Sequence, residues 1–168
     1  PVGIILILIA ARLFNIFVSH FPLAGTLPEH ARLSQEIMTI IVPITIYIVS
    51  CYLVTTILSG ESLLREVFAA AAYSLLPLAL LTFPLTLLSR ILSSSGAGLY
   101  NTLFVMLFVW SGVLLLVSIS VMNSYSFRTT VSVAFLTVFA GAFMIVVLSL
   151  VYVLGARVTD FIREVFSE

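Results

Sequence analysis

VSVAFLTVFAGAFMIVVLSLVYVLG, residues 131–155, contains no charged residue and no histidine. About 20 apolar residues in a helix cross the ~30 Å hydrocarbon core of a bilayer, so this stretch predicts a membrane-spanning helix. Four more stretches of similar length precede it, at residues 2–21, 37–58, 67–89 and 99–122. Only the first holds a charge-capable residue within its bounds, Arg12 and His20. The runs are continuously apolar, whereas barrel strands alternate in segments of about ten residues. The expectation is an all-α, polytopic transmembrane bundle of five helices, closed by a short amphipathic helix.

Composition agrees. Of 168 residues, 62% are hydrophobic and 8% charged, and the mean hydropathy is +1.29. A water-soluble chain of this size has too little interior to hide such a composition. Connectors are short, the longest being residues 22–36, so residues 1–155 read as one membrane domain and 156–168 as the amphipathic helix. Seven Arg balance seven Asp plus Glu, and no basic surface recruits nucleic acid. Cys51 reads as a small packing residue. The chain opens Pro-Val-Gly-Ile, with no Met and no secretory signal pattern, and reads as part of a longer polypeptide.

Polar residues inside spans carry the most information. Arg12 stands near the middle of the first span with Asn15 on nearly the same face. Two placements follow. In one, Arg12 points into the bundle and bonds to Asn15, Glu36, Glu66 or a carbonyl freed by Pro43 or Pro77. In the other it snorkels to an interface. Gly60 is placed to end the second helix and Ser62 to cap the third. Four consecutive Ala, 69–72, and the run Ala140-Gly141-Ala142 allow close helix approach. Pro43, Pro77 and Pro84 should kink their spans. Tyr73 is expected to offer its hydroxyl to a carbonyl freed near a proline, and mid-span Trp110 to act by packing rather than as an interfacial anchor.

The tail carries Val158, Phe161, Ile162, Val165 and Phe166 on one helical stripe, with Arg157, Asp160, Arg163, Glu164 and Glu168 on the other side. The first connector, the third connector and the tail share one side of the membrane and hold Arg32, Arg90, Arg157 and Arg163. The other side holds Arg65 and Arg128. The positive-inside rule then places the tail in the cytoplasm.

Catalytic patterns are not matched. The histidines, His20 and His30, lie far in sequence from the serines of the later spans. In Gly60-Glu61-Ser62-Leu63-Leu64, Leu64 stands where a nucleophile elbow needs its second Gly. His20, Glu29 and His30 match no helix-borne zinc spacing, and no phosphate loop exists. No enzyme activity and no cofactor are expected.

The stretch SGESLLREVFAAAAYSLLP, residues 59–77, resembles the signature region of the Yip-domain family, with its Gly-containing turn, small-residue opening and Tyr73-to-Pro77 step. Arg12-Leu13-Phe14, Trp110 and Tyr125-Ser126-Phe127-Arg128 fall in matching order. The resemblance implies a five-span protein of the bacterial cell membrane, since the acidic cytosolic segment of eukaryotic, Rab-interacting members is absent. It marks Arg12, Asn15, Gly60, Arg65, Tyr73, Pro77, Pro84, Trp110 and Arg128 as structural or partner-contact positions. It also implies that the turns at 59–66 and 123–130 face the cytoplasm, opposite to the charge count. The expected partners are the lipid bilayer and other membrane proteins, a second copy included. The expected role is non-enzymatic, organising or assisting a partner within the membrane. The alternative is a small permease or an accessory subunit of a transporter, because interrupted helices often frame a substrate path.

Overall fold

A backbone surrounded by apolar side chains satisfies its own polar groups most simply as a helix, and helices are what the apolar stretches form. The computed structural model describes residues 1–18, 33–91 and 96–166. It gives α1 (Val2–Val18), α2 (Leu33–Ile57), α3 (Leu64–Ser74), α4 (Leu76–Ile91), α5 (Ala97–Asn123) and α6 (Phe127–Phe166). His20 at the end of the first predicted span and the connector residues Glu29, His30 and Arg32 lie outside the described residues, as do most of the Ser/Gly turn and Glu168.

Among the described residues, four helical stretches are long and apolar enough to cross a membrane: Leu33–Ile57, Leu64–Arg90, Ala97–Asn123 and Phe127–Thr159. The first predicted span is a shorter apolar helix, Val2–Val18. The third predicted span is broken into α3 and α4 at Leu75. Pro77 has no N–H to give to the Tyr73 carbonyl, and the Leu75 N–H is shared between the carbonyls of Ala71 and Ala72. Pro43 and Pro84, by contrast, lie inside continuous helices. The tail corrects another expectation. It is no separate helix, because α6 runs unbroken from Phe127 to Phe166. At 40 residues it is about 60 Å long.

Packing follows side-chain size. Val67 and Ala71 put α3 against α2 and α5, forming a core with Ile48, Cys51, Val54, Ile119 and Val133. A Cβ on Gly141 would lie 3.5 Å from both Ile46 and Ser50, so α6 crosses α2 there at close range. The fully buried Ala11 marks the interior face of α1, which packs on α4 with Phe14 and Phe83 at 5.3 Å between ring centroids.

Polarity is inverted relative to a water-soluble fold. Among the described residues, thirteen buried side chains are apolar and twelve are Ser, Thr or Asn. The outer surface is dominated by Leu, Val, Ile and Phe. Pro77→Ala would return the missing N–H and straighten the α3–α4 joint, lifting α4 from α1. The expected result is a loss of about 1–2 kcal/mol by thermal unfolding in mild detergent, with helix content by circular dichroism unchanged.

Candidate functional site

Two clusters of polar side chains sit at opposite ends of the bundle. The first gathers the end of α1, the start of α2, the end of α4 and the start of α5. Arg12 Nε donates to Glu36 Oε2 at 3.2 Å. Glu36 occupies the first turn of α2, where a carboxylate also meets the positive helix end. Arg12 lies six residues before Val18, about 9 Å of helix rise, so it stands towards one end of the bundle rather than at its middle. Its side chain is 38% exposed against 13% for Glu36. It therefore both bonds within the bundle and reaches towards its edge.

Asn15 does not pair with Arg12. Its Nδ2 donates to Thr86 Oγ1 at 2.8 Å and to Tyr100 Oη at 3.0 Å, joining α1, α4 and α5 through buried atoms. The 3.6-residue repeat leaves Arg12 and Asn15 close enough in angle to suggest one target, yet wide enough to serve two neighbouring helices. At the rim, Arg90 Nε donates to the Val18 carbonyl at 3.1 Å.

The second cluster joins the two short turns. Gly60 was expected to end α2, but Ser59 takes the left-handed conformation there, with φ 58°. Gly60 is required for a different reason. A Cβ on it would lie 2.5 Å from Asn123 Oδ1, 2.6 Å from Tyr125 Oη and 2.9 Å from the Thr55 carbonyl. Only a residue without a side chain lets the α2–α3 turn seat against the α5–α6 turn. The Gly60 N–H donates to the Thr55 carbonyl at 2.7 Å, and Asn123 Oδ1 accepts from the Ser62 N–H at 3.3 Å. Tyr125 Oη donates towards the Thr55 and Leu58 carbonyls at 3.5 and 3.4 Å. Burial pushes its phenol above the ordinary value, which keeps it a donor. Ser124 mirrors Ser59 with φ 51°.

Ser62 does not cap α3. Its Oγ donates to Thr55 Oγ1 at 3.4 Å, while Glu66 accepts from the Leu63 N–H at 2.9 Å. Between the two clusters, α3 meets α5 through a pair of hydroxyls, and further hydroxyls of α4 and α5 bond within their own helices. Ser74 Oγ donates to Ser118 Oγ at 3.4 Å. Thr82, Thr86, Ser89 and Ser118 donate to carbonyls of their own helices. Ser50 and Ser111 are buried with no hydroxyl partner among the described residues.

The remaining candidates face outward. Tyr73 is 59% exposed and Trp110 60%, so both side chains lie on the outer surface of the chain. Arg65, Arg128 and Pro84 are exposed, and Pro77 is half-buried. Sequence reasoning missed Thr55, Thr86, Tyr100 and Asn123. Thr86 and Tyr100 sit 71 and 85 residues from Asn15, beyond the reach of any local pattern. Asn123 and Tyr125 carried a signal, as the polar residues of a turn matching the one at Gly60. Among the described residues no three His, Cys, Asp or Glu side chains gather as metal ligands. No family model, curated protein or solved structure matches this chain.

Gly60→Ala should cost about 2–3 kcal/mol by overpacking, and Gly60→Ala with Asn123→Ala should recover part of it, both read as thermal unfolding in detergent. For the ion pair, Arg12→Leu alone leaves the Glu36 carboxylate without its partner. Arg12→Leu with Glu36→Leu is expected to unfold at a higher temperature than Arg12→Leu alone.

Proposed function

We propose that this chain is a five-span integral membrane protein that works by helix-mediated association, organising or assisting a partner within the membrane. The carrying observation is α6. From residue 145 to 159 every side chain is exposed, so this half of the helix has no covering neighbour among the described residues. Its outer face aligns Phe135, Phe139, Phe143, Val146, Leu150 and Leu154, all more than half exposed. A continuous apolar face on a helix anchored at its other end suits a partner's span.

The count of five follows if α1 crosses together with the four long helices, and the Yip-domain likeness of residues 59–77 supports that count and a bacterial cell membrane. The buried hydroxyls of α3, α4 and α5 support the reading too. They are mostly committed to carbonyls of their own helices, which makes them packing elements. No enzyme activity is part of the proposal. The α3–α4 break favours a second reading, a small permease or transporter subunit, because broken helices frame substrate paths.

Membrane fractions should retain the chain through alkaline carbonate, and blue-native separation of mild-detergent extracts should show it in a species larger than a monomer. Phe139→Ala with Phe143→Ala and Leu150→Ala should dissociate that species. A strictly monomeric parent with no co-purifying protein would overturn the association reading. Solute flux into liposomes that Arg12→Leu abolishes would establish the permease instead.

A further inference from the structure

Helices α2 to α6 form two hairpins of one design. At the end of α2, Ser59 is left-handed and the Gly60 N–H donates five residues back, to the Thr55 carbonyl. At the end of α5, Ser124 is left-handed and the Tyr125 N–H donates five residues back, to the Ser120 carbonyl. The helices that follow start at Leu64 and Phe127, 63 residues apart. At that offset Arg65 matches Arg128, Ala71 matches Ala134, Ala79 matches Ala142 and Leu85 matches Leu148. Packing repeats as well, since α5 lies on α3 and α4 as α2 lies on α6. Buried positions coincide in the first half: Val67 with Thr130, Ser74 with Thr137 and Leu78 with Gly141.

The correspondence fails in one place. On α4 the stripe Ala79, Phe83, Thr86 and Arg90 receives α1. Phe14 packs on Phe83, Asn15 donates to Thr86, and Arg90 donates to the Val18 carbonyl. Ala79 and Thr86 are fully buried. The same offset gives Ala142, Val146, Ser149 and Val153 on α6, and all four are exposed. Ser149 even repeats the internal bond of Thr86, donating to the carbonyl four residues back. Three of the four line the open cleft of about 710 Å³ between α2 and α6. The site that α1 fills on the first hairpin therefore stands uncovered on the second.

We propose that α6 of a second copy of this chain takes that place. The inference names the partner in the association reading and rests on that reading. Phe14, Asn15 and Val18 meet Phe83, Thr86 and Arg90 in ascending order, so α1 runs parallel to α4. The matching helix on α6 runs parallel to α6, as a second copy's α6 does under a two-fold axis along the membrane normal. The stripe is also self-complementary. Ala142, Val146, Ser149, Val153 and Ala156 follow at spacings of four and three, with a small residue at every seventh position. Two such seams bring small residue to small residue at close range over about 21 Å. Charge fits the parallel pair too. Arg157 flanks the seam five residues after Tyr152, so it faces the other copy's tyrosine rather than the other copy's arginine.

The test is disulfide trapping in native membranes with a mild oxidant, on variants of the full chain with one cysteine besides Cys51. Ala142→Cys and Ser149→Cys should each yield a covalent dimer. Val147→Cys, exposed on another side of α6, should cross-link about fivefold less, since a disulfide needs close Cβ atoms. The parent, whose one cysteine is fully buried, should not cross-link. Ser149→Trp should raise the dissociation constant of the pair about tenfold, read as energy transfer between labelled copies in liposomes. No cross-link at either seam position, or as much at Val147, overturns the proposal. So does a Ser149→Cys disulfide to a different polypeptide, which would make the occupant a foreign helix. Should Ser149→Trp misfold by circular dichroism, the cysteine variants still decide. A larger species in blue-native separation without seam cross-links overturns this pairing alone. A strictly monomeric parent overturns the association reading with it.

Discussion

A hydroxyl buried between apolar helices has no water to bond to, and the acceptors it finds decide how the helices sit. In this chain about half of the buried side chains among the described residues are Ser, Thr or Asn. Most of them donate one turn back to their own helix, as Thr55, Thr86 and Thr137 do. Such a residue is self-sufficient in hydrogen bonding and small in cross-section. It lets neighbouring helices approach without leaving a polar atom stranded. The few that bond across helices carry more structural information. Asn15 ties three helices through two bonds, and Asn123 ties two turns.

These cross-links lie at the ends of the bundle, and that placement has a consequence. The Gly60 clasp fixes the end of α2 against the start of α6, so the two helices diverge only at their other ends. The cleft between α2 and α6 and the uncovered half of α6 arise together from this geometry. A 40-residue helix held near its start, beside a 25-residue helix, must outrun it. The part that outruns α2 carries Arg157 and the amphipathic residues beyond it.

Length and hydropathy made the helices readable, because the requirement that backbone groups bond internally acts on each segment alone. Small-residue runs marked the close contacts of α3 and α6 for the same reason: Ala and Gly permit approach whatever the partner. Other features resisted reading. Arg12 and Asn15 share a face by spacing, yet one meets Glu36 and the other Thr86 and Tyr100. Gly60 looked like a helix terminator, and its position against Asn123 and Tyr125 depends on a turn 63 residues downstream. Tyr73 and Trp110 read as packing residues by their size and position in the span, and only the rotation of each helix about its axis showed that both side chains face outward. The tail's change in composition suggested a helix boundary, although nothing in its backbone interrupts α6.

The sequence by itself determined the helical class, the positions of the apolar segments and the absence of a recognisable catalytic pattern. Those properties depend on local covalent structure and on transfer free energies summed along one segment. The tertiary structure decided which helices are neighbours, which carboxylate meets Arg12, why position 60 admits no side chain, and that α2 and α6 part to leave a cleft. Those depend on helix rotation and long-range docking, where a shift of one residue turns every side chain by about 100° and no local pattern specifies the partner.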